Sequence, residues 1–409
     1  MTSQQKEIKV LHIVGGKQSN GAFKGAYILH NALLKLNVNS KILNDGNDIF
    51  DNKNDNDNIL CHNNGFYSNI LKKIFIFLEK TLKTIFLHSP RETFTFNFFG
   101  FDLTKIKEYK KSDIIHIHWL SEGFINLSSI SKIKKPVVWT IRDMWPFTGG
   151  SHYTMDFEKY EKSFLAKFVR KFKKNCFKEN IHFIAPSKWI KKKAEQSEIL
   201  QNKKIIQVDN NVDLKNFNSI SKEKSRNDLK IFTKKKIILY GAQNPQSKRK
   251  GWNLFVDALK KIDKNEFFLL VFGKFWSYKI LDNIGIEYKS MGFINDTNLL
   301  KTVYSSADLF VASSIHDAWP KTFAEAMYCG TPVVCFDNTS ISEIVDHKKN
   351  GYVVNDFTSD GLKKGIEWLA NEVSKNSLMN KFATEKILNY DPKIIASKYI
   401  KIYNQLLKY

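Results

Sequence analysis

Residues 308–336 read DLFVASSIHDAWPKTFAEAMYCGTPVVCF. Two short apolar runs, at 309–312 and 331–336, flank a segment with helical spacing at 322–328. A strand, a helix and a second strand in this order predict a β-α-β unit whose strands run parallel. Because ligands of such units bind beyond the carboxyl ends of the strands, we expect the loop at 313–320 to carry chemistry.

The same alternation extends along the whole chain. Further apolar runs lie at 8–14, 113–119, 136–140, 181–185, 236–240 and 267–272, and helical spacing recurs at 26–36. Such runs, separated by helices, predict parallel sheets covered on both faces. We therefore expect an α/β protein of two Rossmann-like, doubly wound domains at 1–212 and 213–390, with a polar boundary at 210–235. The amphipathic segment at 391–409 is expected to pack back on the first domain.

Composition limits the class of protein. The chain has 409 residues, of which 43% are hydrophobic, and this apolar content excludes global disorder. Its net charge of +23 predicts an anionic partner, such as nucleic acid, anionic lipid or a phosphorylated substrate, unless the Lys-, Ile- and Asn-rich composition reflects genomic base usage. The four cysteines form no C-x-x-C pair, which argues against a disulfide scaffold and favours a reducing, cytoplasmic compartment.

Leader, membrane-spanning and metal-binding segments are not expected. The N-terminal stretch lacks a small-residue cleavage site, which argues against a signal peptide. No window reaches about 18 uncharged apolar residues, so we expect no transmembrane helix. The Asn/Asp-rich stretch at 44–64 has no register of EF-hand ligands and is interpreted as a solvated loop. Asp55 and Asp57 lie within that loop, so no metal site is expected.

Two carboxylates mark the candidate site. Asp317 precedes the predicted helix at 322–328, and Glu325 lies on it eight residues later. Free N–H groups at a helix start can hold a diphosphate, and a carboxylate can accept hydrogen bonds from two vicinal ribose hydroxyls. The alternative is an ordinary helix with a capping Asp and one satisfied Glu.

A resemblance to a known family favours the first interpretation. The 308–311 run, Ser313-Ser314, the acidic-x7-Glu spacing and residues 329–334 resemble the donor-site signature of family-4 glycosyltransferases, which are retaining enzymes of the GT-B fold. Residues 113–119 and the stretch WTIRDMWPFTGGSHY at 139–153 are similar to the subgroup found in capsule, O-antigen and colanic-acid-type polysaccharide synthesis. GT-B architecture places two Rossmann-like domains face to face across a cleft.

The resemblance implies a donor site in the C-terminal domain. Asp317 would lie near the donor sugar hydroxyls and Glu325 would bind the ribose. The other donor-side residues implied are the basic-turn pair Arg249 and Lys250, the N–H donors Lys321 and Thr322, and Glu343. Two positions depart from the family pattern, since Thr339-Ser340 replaces a Gly pair and Ala242 replaces an Arg.

The resemblance and the strand ends indicate Asp143 and His118, together with Asp317, as catalytic residues. Gly21 follows the first strand, where acceptor or phosphate would come close, and is expected to bind one of them, while His152 is expected on the acceptor side. Arg142 stands where many relatives carry a His near the reacting centre. Each residue also has a structural interpretation: Gly21 as a tight turn, and the others as satisfied polar groups. His116, in the middle of its strand, is expected to be a satisfied core histidine.

Two basic amphipathic stretches, at 69–88 and 158–178, combine Lys and Arg with Phe, Ile and Leu. Such stretches fit helices that lie on an anionic membrane surface. The alternative is that both pack their apolar residues into the N-terminal domain and leave Lys solvated.

These observations predict a retaining, metal-independent glycosyltransferase of the hexosyltransferase class. It would use a UDP- or GDP-sugar and no cofactor, and would transfer the sugar to a hydroxyl of a lipid-linked saccharide in cell-surface polysaccharide or lipopolysaccharide biosynthesis. It would work as a peripheral protein on the inner face of the cytoplasmic membrane. Two alternatives remain: a GT-B epimerase or phosphorolytic enzyme, and a basic membrane- or nucleic-acid-binding protein that keeps only the fold. Nucleic acid is disfavoured because the basic residues are dispersed.

Overall fold

The computed structural model describes residues 7–45, 58–61, 66–87, 92–375 and 378–408. The chain divides into two units by internal contacts. Unit 1 comprises residues 1–211 and 392–409, and unit 2 comprises residues 212–391. Most of the solvated loop predicted at 44–64, including Asp55 and Asp57, lies outside the described residues. Its two ends contradict the prediction, because Asn44 and Asp45 are buried and Ile59–Cys61 form a strand.

Unit 1 is built on a seven-stranded sheet whose neighbouring strands are all parallel. The spatial order is β3-β2-β1-β4-β5-β6-β7. The strands are β1 (Lys9–Val14), β2 (Asn39–Asn44), β3 (Ile59–Cys61), β4 (Ile114–Trp119), β5 (Val137–Thr140), β6 (Ile181–Ala185) and β7 (Ile205–Gln207). The central strands are buried almost throughout, as helices on both faces of a parallel sheet require.

The helices of unit 1 include one from the far end of the chain. They are α1 (Gly21–Lys35), α2 (Phe66–Phe86), α3 (Lys107–Lys111), α4 (Leu127–Ile130), α5 (Glu158–Glu161), α6 (Phe164–Cys176), α7 (Lys188–Glu195) and α15 (Pro392–Leu407). Ile395, Tyr399 and Tyr403 of α15 are buried in one apolar cluster with Leu29 and Leu33 of α1. This burial holds the last helix of the chain on the first unit.

Unit 2 repeats the design with six parallel strands in the order β10-β9-β8-β11-β12-β13. They are β8 (Lys236–Gly241), β9 (Phe267–Phe272), β10 (Tyr288–Ser290), β11 (Leu309–Ala312), β12 (Val333–Phe336) and β13 (Gly351–Val354). The helices are α8 (Lys222–Asp228), α9 (Trp252–Leu259), α10 (Lys279–Ile284), α11 (Thr297–Ser306), α12 (Lys321–Tyr328), α13 (Ser359–Lys375) and α14 (Leu378–Ile387). Two apolar clusters cover the sheet, and the α/β class of two doubly wound units is confirmed.

The predicted bounds of strands and helices agree best with the observed ones where the sequence is apolar. β6, β9 and β11 coincide with the predicted runs at 181–185, 267–272 and 309–312. The first helix, expected at 26–36, begins at Gly21 instead. Its first turns contain Gly21 and Gly25. Because glycine has a low helix propensity, the sequence does not indicate that the helix begins there, and tertiary packing stabilises these turns instead.

Candidate functional site

A basic turn in unit 2 lies against the loop that follows β11. Residues Lys248–Lys250 form a 3-10 helix that ends at Gly251, whose φ is +68°. A Cβ on Gly251 would lie 2.0 Å from the backbone oxygen of Ser313. The Ser313 hydroxyl donates to the Lys250 carbonyl at 2.8 Å, and the Ile315 N–H donates to the Arg249 carbonyl at 2.8 Å. The turn is therefore fixed to the loop mainly through backbone groups.

Gly251→Ala is expected to lower the free energy of unfolding of unit 2 more than Gly285→Ala does. Both glycines have left-handed backbones, at φ +68° and +71°, so each substitution costs about 1–2 kcal/mol of strain. Only at Gly251 does the new methyl group meet another backbone, and such overpacking typically adds about 1–3 kcal/mol. Urea unfolding of both variants measures the difference, and equal losses of stability would contradict the close approach.

The basic turn forms ion pairs with the predicted carboxylate. Lys250 Nζ is hydrogen-bonded to Asp317 Oδ2, and Arg249 Nη1 lies 3.3 Å from the same oxygen. Burial alone would raise the pKa of the Asp317 carboxyl, but the charges of Lys250 and then Arg249 outweigh it, so the pKa lies below its ordinary value. Three residues predicted for the donor side thus form one charged cluster, in which Asp317 stays ionised.

The start of α12 adds polar groups next to this cluster. Pro320 precedes the helix without a side-chain cap, and the first turn contains no acidic residue, so its positive dipole end is not neutralised by its own side chains. Thr322 and Lys250 line the same pocket at the carboxyl ends of β8 and β11, together with Gly241, Ala242, Ala312, Ser313, Ser314 and Pro320. The pocket lies where a doubly wound sheet binds its ligands.

The lining of this pocket does not include the other predicted donor-side residues, Lys321, Glu325 and Glu343. Glu325, one turn further along α12, accepts a hydrogen bond from the Tyr304 hydroxyl at 3.0 Å. Tyr304 is fully buried, and its burial together with the Glu325 charge raises its pKa well above the ordinary value. Lys321 is the first residue of α12, and Glu343 lies in a turn two residues after the pocket-lining Ile341.

Of the two residues that stand in place of the Gly pair, Thr339 is hydrogen-bonded within unit 2, whereas the buried Ser340 hydroxyl has no hydrogen-bond partner among the described residues. Thr339 and Ser340 are buried, and the Thr339 hydroxyl donates to the Phe336 carbonyl at 2.9 Å. Ala242 lines the pocket beside Lys250. The two cations Arg249 and Lys250 therefore supply positive charge in this part of unit 2.

In unit 1, the structure joins two predicted residues with a tryptophan. Asp143 Oδ2 accepts from Trp119 Nε1 at 3.0 Å and lies 2.6 Å from His152 Nδ1. The Trp145 N–H donates to Asp143 Oδ1 at 2.9 Å, which fixes the carboxylate from its other side. His152 Nε2 lies 3.2 Å from the Thr95 hydroxyl. Asp143 and His152 thus form one oriented pair in the loop after β5, held against Trp119 at the carboxyl end of β4.

His118 lies deeper, in a histidine network that includes a residue the sequence analysis missed. Arg142 donates to His118 Nδ1 at 3.0 Å, so the other ring nitrogen of His118 carries the proton and donates to His12 Nδ1 at 2.9 Å. His12 could have been anticipated from its strand, which pairs with β4 so that His12 lies opposite His116. His116 is the satisfied core histidine that the sequence predicted, bonded to the hydroxyls of Tyr403 and Thr140 at 2.7 and 2.8 Å.

The three histidines are neutral. Burial, followed by the nearby positive charges, lowers the pKa of His12, His116 and His118 well below the ordinary value. Their ring nitrogens lie within 4.8 Å of one another, a spacing that could hold a metal ion. Arg142 beside His118 and the two hydroxyls on His116 fit a neutral hydrogen-bonded network better than a cation site.

Unit 1 is expected to lose stability in acid before unit 2 does. The folded state keeps the three rings neutral, whereas the unfolded chain protonates them below about pH 6.5, so the unfolded state binds more protons. Each ring then costs up to about 1.4 kcal/mol of stability per pH unit below that value. Hydrogen exchange of the β1 and β4 amides, with β8 and β9 as the internal reference, measures the effect. Equal loss of protection in both units between pH 7 and 5 would contradict it.

The start of α1 leaves room beside the predicted Gly21. A Cβ on Gly21 would have no neighbour within 4 Å among the residues that the structure describes, so the space there is open to them. One turn later, a Cβ on Gly25 would lie 2.9 Å from Arg142 Nη1. Arg142 also donates to the Asn210 side chain at 2.7 Å. Gly25, missed as a site residue, lets α1 pack on Arg142, whereas Gly21 keeps the helix start accessible.

Comparison with known proteins identifies the class. Residues 77–216 match the family Glycosyltransferase Family 4, and residues 221–386 match Glycosyl transferases group 1. The structure of Anabaena HepE in complex with UDP-glucose superposes with a TM-score of 0.64 at 16% identity, covering 98% of this chain and 100% of that one. The two doubly wound units therefore define a GT-B fold.

Several curated proteins are similar to this chain in sequence. A Klebsiella pneumoniae protein described as an uncharacterized 41.2 kDa protein in the cps region is 22% identical over 78% of this chain and 87% of its own length. An N,N'-diacetylbacillosaminyl-diphospho-undecaprenol alpha-1,3-N-acetylgalactosaminyltransferase of Campylobacter jejuni is 24% identical over 39% of this chain. The first curated relatives are matched over about two fifths of their length, at 42% each. The chain belongs to the glycosyltransferases that combine a family 4 domain with a group 1 domain.

Proposed function

We propose that this protein transfers a sugar from a nucleotide-sugar donor to a hydroxyl of a saccharide acceptor, with retention and without a metal. The observation that carries the proposal is the charged cluster of Asp317, Lys250 and Arg249 beside the uncapped start of α12. A diphosphate matches this chemistry, since two cations and the positive end of a helix dipole attract phosphate oxygens.

Donor binding is proposed for unit 2. The diphosphate contacts Lys250, Arg249 and the N–H groups of Lys321 and Thr322. Glu325, oriented by the Tyr304 hydroxyl, accepts hydrogen bonds from the two ribose hydroxyls. Asp317 holds the sugar hydroxyls and, because it stays ionised, stabilises positive charge that develops at the anomeric carbon. Glu343 gives a further donor contact. The UDP-glucose held by Anabaena HepE supports a UDP-sugar, with a GDP-sugar as the second candidate.

The reaction breaks the bond between the anomeric carbon and the diphosphate oxygen. The acceptor oxygen bonds to the same face of the anomeric carbon, and the acceptor proton passes to the departing phosphate. As the bond breaks, negative charge develops on the departing diphosphate, and Lys250 and Arg249 stabilise this charge until the acceptor proton neutralises it. The positioned donor supplies its own base, so no carboxylate nucleophile is needed.

The acceptor is proposed to bind unit 1. The oriented pair Asp143 and His152, together with the open space at Gly21, provides hydrogen-bonding groups for a saccharide. Arg142 and His118, which are hydrogen-bonded to each other, are proposed to position this acceptor side. The Campylobacter relative, whose name gives a diphospho-undecaprenol acceptor, and the Klebsiella protein of the cps region support a lipid-linked acceptor and a role in cell-surface polysaccharide synthesis. We place the protein at the inner face of the cytoplasmic membrane.

Product analysis tests the proposal. The protein is incubated with a UDP- or GDP-sugar and a diphospho-undecaprenol-linked saccharide, and the product is analysed by mass spectrometry and by NMR of the new anomeric centre. We expect one added sugar with the anomeric configuration of the donor, and undiminished yield in EDTA. An altered sugar nucleotide formed without acceptor would indicate an epimerase, and inversion at the anomeric centre would contradict the mechanism.

A further inference from the structure

Helix α2 leaves one row of apolar side chains exposed, whereas Phe75 and Leu82 on its other side pack into unit 1. Ile70, Ile74, Phe77 and Ile85 are spaced at i, i+4, i+7 and i+15 and lie along one side of the helix. They are 40%, 46%, 68% and 64% exposed in the described part of the chain. A soluble surface helix presents the opposite pattern, with its apolar face toward the core.

Two charged side chains of α2, Lys72 and Glu79, face the protein instead. Lys72 is 5% exposed; its Nζ donates to the Asp45 carbonyl at 2.7 Å and lies 3.4 Å from the Asp45 carboxylate. Glu79, fully buried, accepts from the N–H groups of Phe96 and Phe98 at 3.1 and 2.8 Å. These inward bonds orient the helix, since rotating it would leave buried charges unpaired.

The same contacts connect α2 to the loop after β1. Asp45 accepts from the Gly16 N–H at 3.1 Å and from the Ser121 hydroxyl at 2.6 Å. Gly16 precedes the start of α1, where the acceptor is proposed to bind. The outward face of α2 is therefore rigidly placed relative to the acceptor side of unit 1.

Helix α6 shows the same arrangement with fewer residues: apolar side chains are exposed and a charged side chain is buried. Phe164 and Phe168 are 85% and 51% exposed, while Lys173 is fully buried, with its Nζ 3.6 Å from the Trp145 ring centroid. One alternative expected from the sequence is that both basic stretches bury their apolar residues and solvate Lys. Ile74 of α2 and Phe164 and Phe168 of α6 contradict it, because they are exposed. It holds for Leu82 of α2 and Leu165 of α6, which pack on the apolar cluster that contains Phe94 and Phe96.

We infer that the outward face of α2, formed by Ile70, Ile74, Phe77 and Ile85, docks on an anionic phospholipid bilayer. Lys73 and Lys80 are exposed beside this apolar face, and the chain carries a net charge of +23, which complements anionic headgroups. None of the described helices is long and apolar enough to cross a bilayer. Binding therefore takes the form of a helix lying in the interface.

The inference rests on the proposed function only for its purpose, which is to bring the acceptor side of unit 1 to a lipid-linked substrate. Binding to vesicles requires no sugar nucleotide. A protein that binds vesicles but transfers no sugar would therefore refute the proposed function alone, and one that transfers sugar without binding vesicles would refute this inference alone.

Vesicle flotation tests the docking face. Wild-type protein is expected to float with vesicles of phosphatidylglycerol and phosphatidylcholine, and about 10-fold less with phosphatidylcholine alone or at high salt. The double variant Ile74→Glu/Phe77→Glu should bind anionic vesicles at least about 10-fold more weakly. Phe232→Glu, which changes an 82% exposed phenylalanine of unit 2, is the matched control and should bind as wild type.

Two further measurements keep the test decisive. Circular dichroism should show unchanged folding of the double variant, because both side chains point outward. Light scattering without lipid should show the same mass for wild type and variant. The inference would be overturned if wild-type protein did not float, or if the double variant floated as well as wild type. It would also be overturned if wild-type protein were a dimer and the double variant a monomer, because the face would then bind a second copy of the chain.

Discussion

Lys250→Ala should lower the rate of sugar transfer about 10²–10³-fold, with the protein still folded. Lys250 contacts Asp317 and belongs to a basic turn held mainly by backbone hydrogen bonds, so the substitution removes the charge and leaves the turn in place. The loss should appear mainly in kcat, because the charge on the departing diphosphate grows in the transition state. Steady-state kinetics with saturating donor measures it.

Lys260→Ala is the matched control for that prediction. Lys260 follows α9, is 58% exposed and pairs only with Asp257 among the described residues. Its removal should change the rate by less than about twofold, as expected for a solvated ion pair. Equal activity of Lys250→Ala and Lys260→Ala would show that the basic turn does not serve the leaving group.

Glu325→Gln should weaken donor binding about 10- to 100-fold, since a charged acceptor of hydrogen bonds is replaced by a neutral one. The amide keeps the size of the side chain and can still accept from the Tyr304 hydroxyl, so unit 2 should fold normally. Isothermal titration with the nucleoside diphosphate measures the change. Because the ribose is remote from the bond that breaks, KM should rise more than kcat falls.

Glu367→Gln on α13 provides the control for Glu325. Glu367 is 41% exposed and pairs with Lys363 one turn away. Donor affinity should stay at the wild-type value in this variant. Unchanged affinity in Glu325→Gln as well would remove the ribose role from Glu325, and a loss of affinity in both would point to general destabilisation.

Much of the fold was predictable because the central strands are nearly continuous apolar runs. β2 was missed, although Ser40 and Asn44 within it are buried. Ser40 lies 2.7 Å from His30 Nδ1, and the Asn44 amide donates to the Val14 carbonyl at 2.8 Å. Polar residues become strand residues here because distant parts of the chain satisfy them, and no local pattern indicates such partners.

The residues of the candidate site could be predicted from the sequence, but the contacts between them could not. The spacing of Asp317 and Glu325 located the start of α12, since helix signals are local. The ion pair between Asp317 and Lys250 joins residues 67 positions apart and required the fold. The same limit applies to α2, where Asp45 and Glu122 turn Lys72 and Lys83 inward. Amphipathic spacing predicts that a helix has two faces but cannot tell which one meets solvent.

A thermal-shift series with UDP-, GDP-, ADP- and CMP-sugars tests most directly whether the charged cluster of unit 2 holds a nucleotide sugar. One diphosphate sugar, at about 100 times its dissociation constant, should stabilise wild-type protein by about 2.7 kcal/mol and raise Tm by about 5 °C or more. The shift should be much smaller in Glu325→Gln, because donor affinity falls in that variant. No shift with any donor, or a shift in Glu325→Gln equal to that of wild type, would contradict the account.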